Sequence, residues 1–179
     1  MASFYSELSA FHRTFIAGQH LYFVATAADG RVNLSPKGMD TFRVLDAQTV
    51  AYLDLTGSGN ETAAHLQENE RITIMFCSFT EKPLILRIYG RGAIVRPGSE
   101  EWSELAPHFD LLPGTRQIVR IQVDSVQTSC GHAVPFYELK GERPMLVNWA
   151  LDKGEEWMEN YRREKNTVSI DGKPIGRKG

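Results

Sequence analysis

The residues best suited to chemistry lie where a strand-forming stretch, Thr49–Leu55, meets a glycine-rich turn and the start of a helix. Gly57 and Gly59 permit tight backbone conformations, and Asn60 is a residue type that caps helices through its side chain. The first N–H groups of a helix have no partner within the helix, so such a turn is suited to binding a phosphate. The alternative is an ordinary capped turn without a ligand.

Other common sites do not fit the sequence. A P-loop needs Gly-Lys-Ser/Thr, and the turn holds no lysine. A dinucleotide-binding fingerprint needs a third glycine at position 62, which is Thr62. The five histidines lack the spacing of metal ligands, and no Gly-x-Ser-x-Gly elbow is found. We therefore predict neither a metal site nor a hydrolase triad.

The two cysteines also bear on chemistry. Cys130 has His132 nearby, and a charged imidazole close to the thiol would lower its pKa. We expect a buried, structural cysteine instead. Cys77 shares no C-x-x-C spacing with Cys130, which agrees with a reduced protein of the cytoplasm.

Bulk composition narrows the class of protein. The chain has 179 residues, of which 42% are apolar, so it can form one domain with a sizeable core. Its net charge of −2 argues against a nucleic-acid-binding surface. Its apolar runs are far shorter than the ~20 residues that cross a bilayer, and no basic segment followed by an apolar stretch opens the chain. We expect no membrane association and no secretory signal.

Apolar periodicity predicts the elements that position the turn. Ser3 can cap a first helix over residues 3–19, and Asp29-Gly30 predicts a hairpin between strands 20–28 and 31–35, the second ending at Pro36. Further strands are predicted over residues 42–45, 49–55, 71–79, 84–95 and 116–128. A last helix is predicted over about 152–165.

Many short strands in hairpin order, with a few helices between them, predict an α+β domain around a small antiparallel barrel. Gly90 and Gly92 inside strand 84–95 indicate a bend or bulge where the sheet curls toward closure. No internal repeat or charged linker interrupts the chain. We therefore predict a single domain over residues 1–179.

Two groups of polar residues follow predicted strands: Asn33, Ser35 and Lys37, and then Ser58, Asn60 and Thr62. The hairpin would bring Lys37 toward the helix that begins at Asn60. A cation and a helix dipole would then point at one phosphate. A solvated loop lysine is the alternative for Lys37.

Four motifs in a fixed order carry a resemblance to a known family. They read HLYFVATAADGRVNLSPKG, TVAYLDLTGSGNETAAHLQENERITIMF, ILRIYGRG and DSVQTSCGHAVP, and they cover most of residues 20–172. This succession resembles the FMN-binding split-barrel proteins related to pyridoxamine 5′-phosphate oxidase, in the branch with an SCG-x-x-VP loop. The resemblance implies an antiparallel split β-barrel with flanking helices, FMN as the cofactor, and a homodimer that holds FMN in clefts between its subunits.

The resemblance also implies roles for particular residues. The flavin would be lined by Asn33, Ser35 and Lys37. The ribityl chain and ring would be followed by Asp54, Leu55 and Thr56. The phosphate would lie at or near Ser58, Asn60, Glu61 and Thr62. The partner subunit would contribute its Gln127, Thr128, Ser129 and Cys130, and weaker candidates for charge near the cofactor are Arg87 and Arg91.

Two departures from the family pattern affect the predicted function. True pyridoxamine phosphate oxidases place Ser-Arg-Lys after this turn, whereas here Ser58 is followed by Gly59, Asn60 and Glu61, so two cations are missing and an anion is added. The chain also lacks that enzyme's closing substrate-binding segment and ends in Gly-Arg-Lys-Gly. We therefore expect an FMN-dependent oxidoreductase that exchanges hydride with an unidentified small substrate, and not vitamin B6 oxidation. A flavin-storing or flavin-sensing protein is the alternative, and a deazaflavin or haem in place of FMN stays open.

Overall fold

The computed structural model describes residues 2–175. In this part of the chain the strands are β1 (Ser3–Tyr5), β2 (Tyr22–Ala27), β3 (Val32–Lys37), β4 (Phe42–Val44), β5 (Thr49–Leu55), β6 (Arg71–Cys77), β7 (Ile85–Val95) and β8 (Thr115–Ser129). The helices are α1 (Ala10–Ala17), α2 (Glu61–Asn69), α3 (Glu100–Leu105), α4 (Met145–Lys153) and α5 (Glu155–Lys165), with a 3₁₀ turn at Ala106–His108. None of these helices is long and apolar enough to cross a membrane. The Gly-Arg-Lys-Gly end of the chain lies outside the described residues.

All strands belong to one antiparallel sheet in the order β3-β2-β6-β7-β8-β5-β4, with β1 paired to β8. Alternating apolar residues point to one side of it, and the sheet curls around the core that they form. Val24, Ile74, Ile88, Ile121 and Val126 are completely buried there. The sheet is open between β3 at one end and β5 and β4 at the other, so it forms a split barrel. The predicted α+β class and the antiparallel split barrel are confirmed.

The predicted bend in β7 is also confirmed. The register between β7 and β8 shifts between Tyr89 and Gly90. A side chain at Gly90 would place its Cβ 2.2 Å from the carbonyl oxygen of Gln122 on β8. Only glycine permits so close an approach of two backbones, and the bulge that results increases the curl of the sheet.

The N-terminal helix was predicted to begin too early. Ser3–Tyr5 is a strand whose residues pair with Thr128, Gln127 and Val126 of β8. Helix α1 begins only at Ala10, after Ser9, whose Oγ accepts a hydrogen bond from the backbone N–H of His12 at 3.3 Å. The long strand β8 offers Ser3–Tyr5 a free edge, and pairing there overrides a weak local preference for helix.

Two further boundaries differ from the predictions. Strand β3 continues through Pro36 to Lys37, because β3 is the edge of the sheet and its proline needs no hydrogen-bonding partner on the open side. The predicted helix over residues 152–165 is two helices, since Gly154 between α4 and α5 has a φ of 75°. That left-handed backbone conformation interrupts the helix and suits glycine.

Candidate functional site

Across the split, an ion pair joins the edge strand β3 to β5, the strand next to the opposite edge. Lys37 Nζ, at the end of β3, lies 2.7 Å from Asp54 Oδ1 on β5. The other carboxylate oxygen of Asp54 accepts hydrogen bonds from Arg116 Nε and Gln117 Nε2, both at 2.8 Å. Asp54 is only 2% exposed, so three donors replace the water that its carboxylate loses on burial. Asp54 is therefore a structural anchor as well as a residue of the cleft.

The charges around Asp54 decide its protonation. Burial alone raises the pKa of Asp54, but the attraction of Arg116 and Lys37 and their hydrogen bonds outweigh burial and hold its pKa well below the usual range. At neutral pH Asp54 is a carboxylate with no proton to give, which makes it unsuited to acid–base catalysis. Two cations face this one anion, so the cluster keeps a positive excess that suits an anionic ligand.

A β-bulge delivers both β8 side chains to Asp54. Gln117 is opposite Asp54 and Thr115 is opposite Leu55, so Arg116 is an extra residue between two successive pairs. In a regular strand Arg116 and Gln117 would point to opposite faces of the sheet, whereas the bulge turns both toward Asp54. Sequence analysis missed both residues. The break in the alternation of apolar residues next to Ile118 was the signal that could have indicated the bulge.

The glycine-rich turn is held by residues distant in sequence. The carbonyl oxygens of Gly57 and Gly59 accept hydrogen bonds from Asn166 Nδ2 at 3.1 Å and Arg116 Nη1 at 2.9 Å. Asn60 is at the N-cap position of α2 as predicted, but its side chain does not cap the helix. Its Oδ1 accepts instead from Gln117 Nε2 at 2.9 Å. The predicted capping bond is therefore wrong, because a buried amide competes for the same oxygen.

A second network joins β2, β3 and α2. Asn33 Nδ2 lies 3.1 Å from Thr62 Oγ1 and 3.3 Å from Thr26 Oγ1. Ser35 Oγ donates to Asn33 Oδ1 at 3.0 Å. The structure thus brings Asn33 and Ser35 of β3 together with Thr62 of α2, although the two groups are far apart in sequence. This network and the Asp54 cluster both lie on the inner side of the sheet, and together they supply the polar groups of the split.

Four predicted cofactor residues have other surroundings. The Leu55 side chain packs with a second apolar cluster next to α3. Thr56 is buried, and its Oγ1 donates to the carbonyl of Gly114 at 2.8 Å and accepts from Arg162 Nε at 2.7 Å. Ser58 is exposed on the turn. The Glu61 carboxylate accepts from the N–H of Ile170 at 3.1 Å, so this anion is bound by the C-terminal segment.

Two of the four residues predicted to serve the partner subunit, Gln127 and Ser129, lie on the outer face of the sheet. Arg87 and Gln127 are cross-strand neighbours there, and Arg87 Nη1 lies 3.4 Å from Ser129 Oγ. Gln127 Oε1 accepts from Tyr89 Oη at 2.8 Å. Thr128 points inward and is buried. The sheet therefore separates this outer group from the Asp54 cluster within one chain.

Cys130 corrects one expectation. Its side chain is exposed at the end of β8, so it is not a buried structural cysteine. Its pKa is lowered by a hydrogen bond from the backbone of His132. Cys77 is buried, and desolvation raises its pKa. Arg91, the weaker cofactor candidate, pairs with Asp124 at 3.4 Å on the surface.

A surface cavity of about 380 Å³ lies on the outer face, not in the split. Small side chains such as Ala25 and Thr73 form its floor, and Arg71, Tyr89 and Asp124 stand around it. Few hydrogen-bonding groups converge on it, whereas charged and polar groups from five elements, β2, β3, β5, β8 and α2, converge in the split. We therefore assign the candidate site to the split.

The comparisons with known proteins agree with this architecture. The family model described as pyridoxamine 5′-phosphate oxidase matches residues 8–130. The chain is 35% identical over 195 residues to the pyridoxamine 5′-phosphate oxidase family protein ustO of Aspergillus flavus. The alignment covers 97% of this chain and 78% of that protein.

Two solved structures share the fold at low identity. The HupZ protein of Group A Streptococcus has a TM-score of 0.55 at 23% identity, covering 66% of this chain and 91% of that one. The FAD binding protein from Mycobacterium smegmatis has a TM-score of 0.51 at 20% identity, covering 69% of this chain and 96% of that one. With the family model matching most of its length, the chain belongs to the pyridoxamine 5′-phosphate oxidase family.

Proposed function

We propose that this protein is a flavin-dependent oxidoreductase that binds FMN in clefts shared by two copies of the chain. The observation that carries this proposal is the separation of the two polar groups by the sheet. The inner group consists of Asn33, Ser35, Lys37 and Asp54, and the outer group consists of Arg87, Gln127 and Ser129. The inner group of one subunit and the outer group of its partner would enclose one ligand from two sides. Within a single chain the sheet lies between the two groups, so they cannot contact the same ligand molecule.

The inner group fits a flavin nucleotide chemically. The ribityl hydroxyls need hydrogen-bonding partners, which Asn33 and Ser35 supply, and the phosphate needs positive charge. Two arginines would take the place of the missing Arg-Lys pair: Arg116 from β8 donates to the carbonyl of Gly59, and Arg162 from α5 donates to Thr56 just before Gly57. Arg162 also pairs with the exposed Glu155, so Arg116 is the stronger of the two candidates. Lys37 adds a third cation to the split.

A flavin is also consistent with the relatives, since the Mycobacterium smegmatis protein is described as FAD-binding. We propose FMN because the motifs resemble the FMN-binding branch. A bound flavin supplies the hydride chemistry at its own ring. The protein binds and orients it, and the fully engaged Asp54 carboxylate takes no part in proton transfer. The competing function is flavin storage or sensing without turnover.

The first experiment is an absorption spectrum of the purified protein, followed by mass spectrometry of the molecule that heat releases. Bound FMN is expected, and FAD, a deazaflavin or haem would each correct the cofactor. Stopped-flow reduction by NADH, NADPH and a panel of small quinones and imines then tests turnover. If no donor reduces the flavin at a useful rate, the storage function replaces the oxidoreductase.

The homodimer is tested separately. Leu34 and Phe4 are 64% and 68% exposed although they are large and apolar, and they flank the outer face of the sheet. A second subunit packed on the outer face would cover both side chains, which lie on opposite sides of that face. Light scattering at micromolar concentration should give the mass of a dimer. A monomer that still binds FMN tightly would exclude the shared cleft.

A further inference from the structure

His65 presents a buried nitrogen that the proposed chemistry does not use. It lies on the inner side of α2 and is 1% exposed. Its Nδ1 is 3.1 Å from Thr26 Oγ1, whereas its Nε2 meets no hydrogen-bonding partner among residues 2–175. A buried polar atom without a partner costs free energy, so its presence calls for an explanation.

His65 is the inner end of a chain of hydrogen bonds that leads to the cleft. Thr26 Oγ1, next to His65, also accepts from Asn33 Nδ2. Asn33 Oδ1 in turn accepts from Ser35 Oγ. Three elements, α2, β2 and β3, are thus linked in order from His65 to Ser35, which we assign to the flavin.

When the Thr26 hydroxyl donates its proton within this chain, the chain can run in two directions. In one, the Thr26 hydroxyl donates to His65 Nδ1, Asn33 donates to Thr26, and Ser35 donates to Asn33. The Ser35 oxygen then offers only lone pairs to the cleft. In the other, His65 Nδ1 carries the proton, the Asn33 amide is turned around, and the Ser35 proton is free for a ligand. The tautomer of His65 distinguishes the two directions.

We propose that His65 is a positioning residue that carries its proton on Nε2 and so makes Ser35 a hydrogen-bond acceptor in the cleft. The amide orientation supports the first direction, because the Asn33 nitrogen carries two hydrogens and faces two threonine oxygens, Thr26 Oγ1 and Thr62 Oγ1. In this direction Nδ1 accepts from Thr26, so the single ring proton is on Nε2, where it has no partner among residues 2–175.

This inference rests on the proposed function and deepens it, because it defines the ligand group that Ser35 recognises. An acceptor binds a hydroxyl or an N–H group, both of which a flavin carries on its ribityl chain and ring. A phosphate dianion has no proton to donate and is excluded at Ser35. The phosphate of FMN must therefore lie against other residues of the split.

The first test needs no flavin. Long-range proton–nitrogen NMR correlation on the ¹⁵N-labelled apo protein, assigned through bonds from the His65 backbone, reports which ring nitrogen carries the proton. We expect the proton on Nε2 and a hydrogen-bonded lone pair on Nδ1. A proton on Nδ1, alone or with one on Nε2, would overturn the proposal.

The second test uses riboflavin and FMN as probes. Ser35→Ala should weaken both by about the same factor, roughly tenfold, because both carry the ribityl chain and the ring. Loss of affinity for FMN alone would mean that Ser35 contacts the phosphate, and no loss for either probe would mean that it faces no ligand. Both results contradict the proposal.

A pair of His65 variants tests the link between His65 and Ser35. His65→Leu removes the acceptor for Thr26 and should weaken both probes as Ser35→Ala does. His65→Asn keeps an acceptor near the position of Nδ1 and should restore part of that affinity, whereas equal effects of the two variants would contradict a positioning role. A wild-type protein that binds neither probe would overturn the proposed function, while the tautomer measurement would still decide the state of His65.

Discussion

Asn60 and Gln117 are joined by a hydrogen bond of 2.9 Å between the Asn60 Oδ1 and the Gln117 Nε2. The same Gln117 nitrogen lies 2.8 Å from Asp54 Oδ2. One buried amide thus ties the start of α2 to the carboxylate that bridges the split. The role of Asn60 is therefore tertiary, and its substitutions are expected to behave differently from those of a capping residue.

Replacing Asn60 tests this relationship. Asn60→Ala should lower the free energy of unfolding of the apo protein by about 1 kcal/mol, the value of one hydrogen bond. Asn60→Asp should cost about 1–3 kcal/mol more, because it places a second carboxylate on the amide that already serves Asp54. Urea unfolding at pH 7 measures both. Aspartate caps helices as well as asparagine does, so a stable Asn60→Asp protein would restore the capping role.

Removing the charge of Asp54 should be far more costly. Asp54→Asn leaves Arg116 buried without its anion, and we expect a loss of about 3–5 kcal/mol in the free energy of unfolding. Asp124→Asn is the matched control, because Asp124 forms an exposed ion pair with Arg91. That control should change stability by less than about 0.5 kcal/mol. Similar effects of the two variants would mean that burial adds nothing to the Asp54 pair.

Asp54 also predicts how stability depends on pH. Its folded-state pKa is depressed, so the stabilisation that it provides is present above its unfolded pKa of about 3.9 and is lost as the pH falls through the lower folded value. Wild-type stability should therefore decline as the pH falls from about 5 toward 2. Asp54→Asn should show a shallower decline in this range. Urea unfolding of both proteins at several pH values measures this difference. Equal slopes of the free energy of unfolding against pH would mean that Asp54 does not contribute to the pH dependence.

Two glycines should respond oppositely to alanine. At Gly90 the added Cβ would meet the Gln122 carbonyl at 2.2 Å, so β7 and β8 must separate, and we expect a loss of about 1–3 kcal/mol or more. At Gly57 a Cβ would meet no atom within 4 Å, and stability should change by less than about 0.5 kcal/mol. Thermal melts of the two apo variants compare them. A tolerated alanine at 90 would contradict the close approach at the bulge.

Arg162 should hold the last helix to the barrel. It bonds Thr56 Oγ1 at 2.7 Å and the carbonyl of Thr115 at 3.2 Å. Arg162→Ala should speed amide hydrogen exchange in α5 by about fivefold or more, equivalent to about 1 kcal/mol, and leave the central strands unchanged. Arg163→Ala, which removes an exposed pair with Glu159, is the control and should have no such effect. Equal rates of amide hydrogen exchange in α5 of the two variants would mean that Arg162 does not hold this helix to the barrel.

Mixed dimers would test the shared cleft directly. Lys37→Met damages the inner group and Gln127→Ala the outer group, and each homodimer should bind FMN about tenfold more weakly than the wild type. A mixed dimer of the two variants has one cleft with both defects and one with none. After the purified variants are mixed and exchange subunits, one of the two clefts in each mixed dimer should bind FMN tightly. If each site were built from one chain, mixing would restore nothing.

Local rules of the sequence determined the β2–β3 hairpin at Asp29-Gly30, the course of most strands, and the turn before α2. These features depend on neighbouring residues, through backbone preferences and the alternation of apolar side chains. The order of the motifs added the family and the split barrel. The structure brings Asn33 to Thr62 and Lys37 to Asp54 at one cleft, and their roles in binding a cofactor stay predictions.

The tertiary structure alone decided which partners complete that cleft. Arg116 reaches Asp54 through a bulge, and Asn166 reaches Gly57 across 109 residues of sequence. Asn60 turns from its own helix to Gln117 because a buried amide and a buried carboxylate must satisfy their hydrogen bonds together. Such choices depend on which polar groups lose water at the same place. No local pattern contains that information, since the competing groups meet only when the sheet has closed around them.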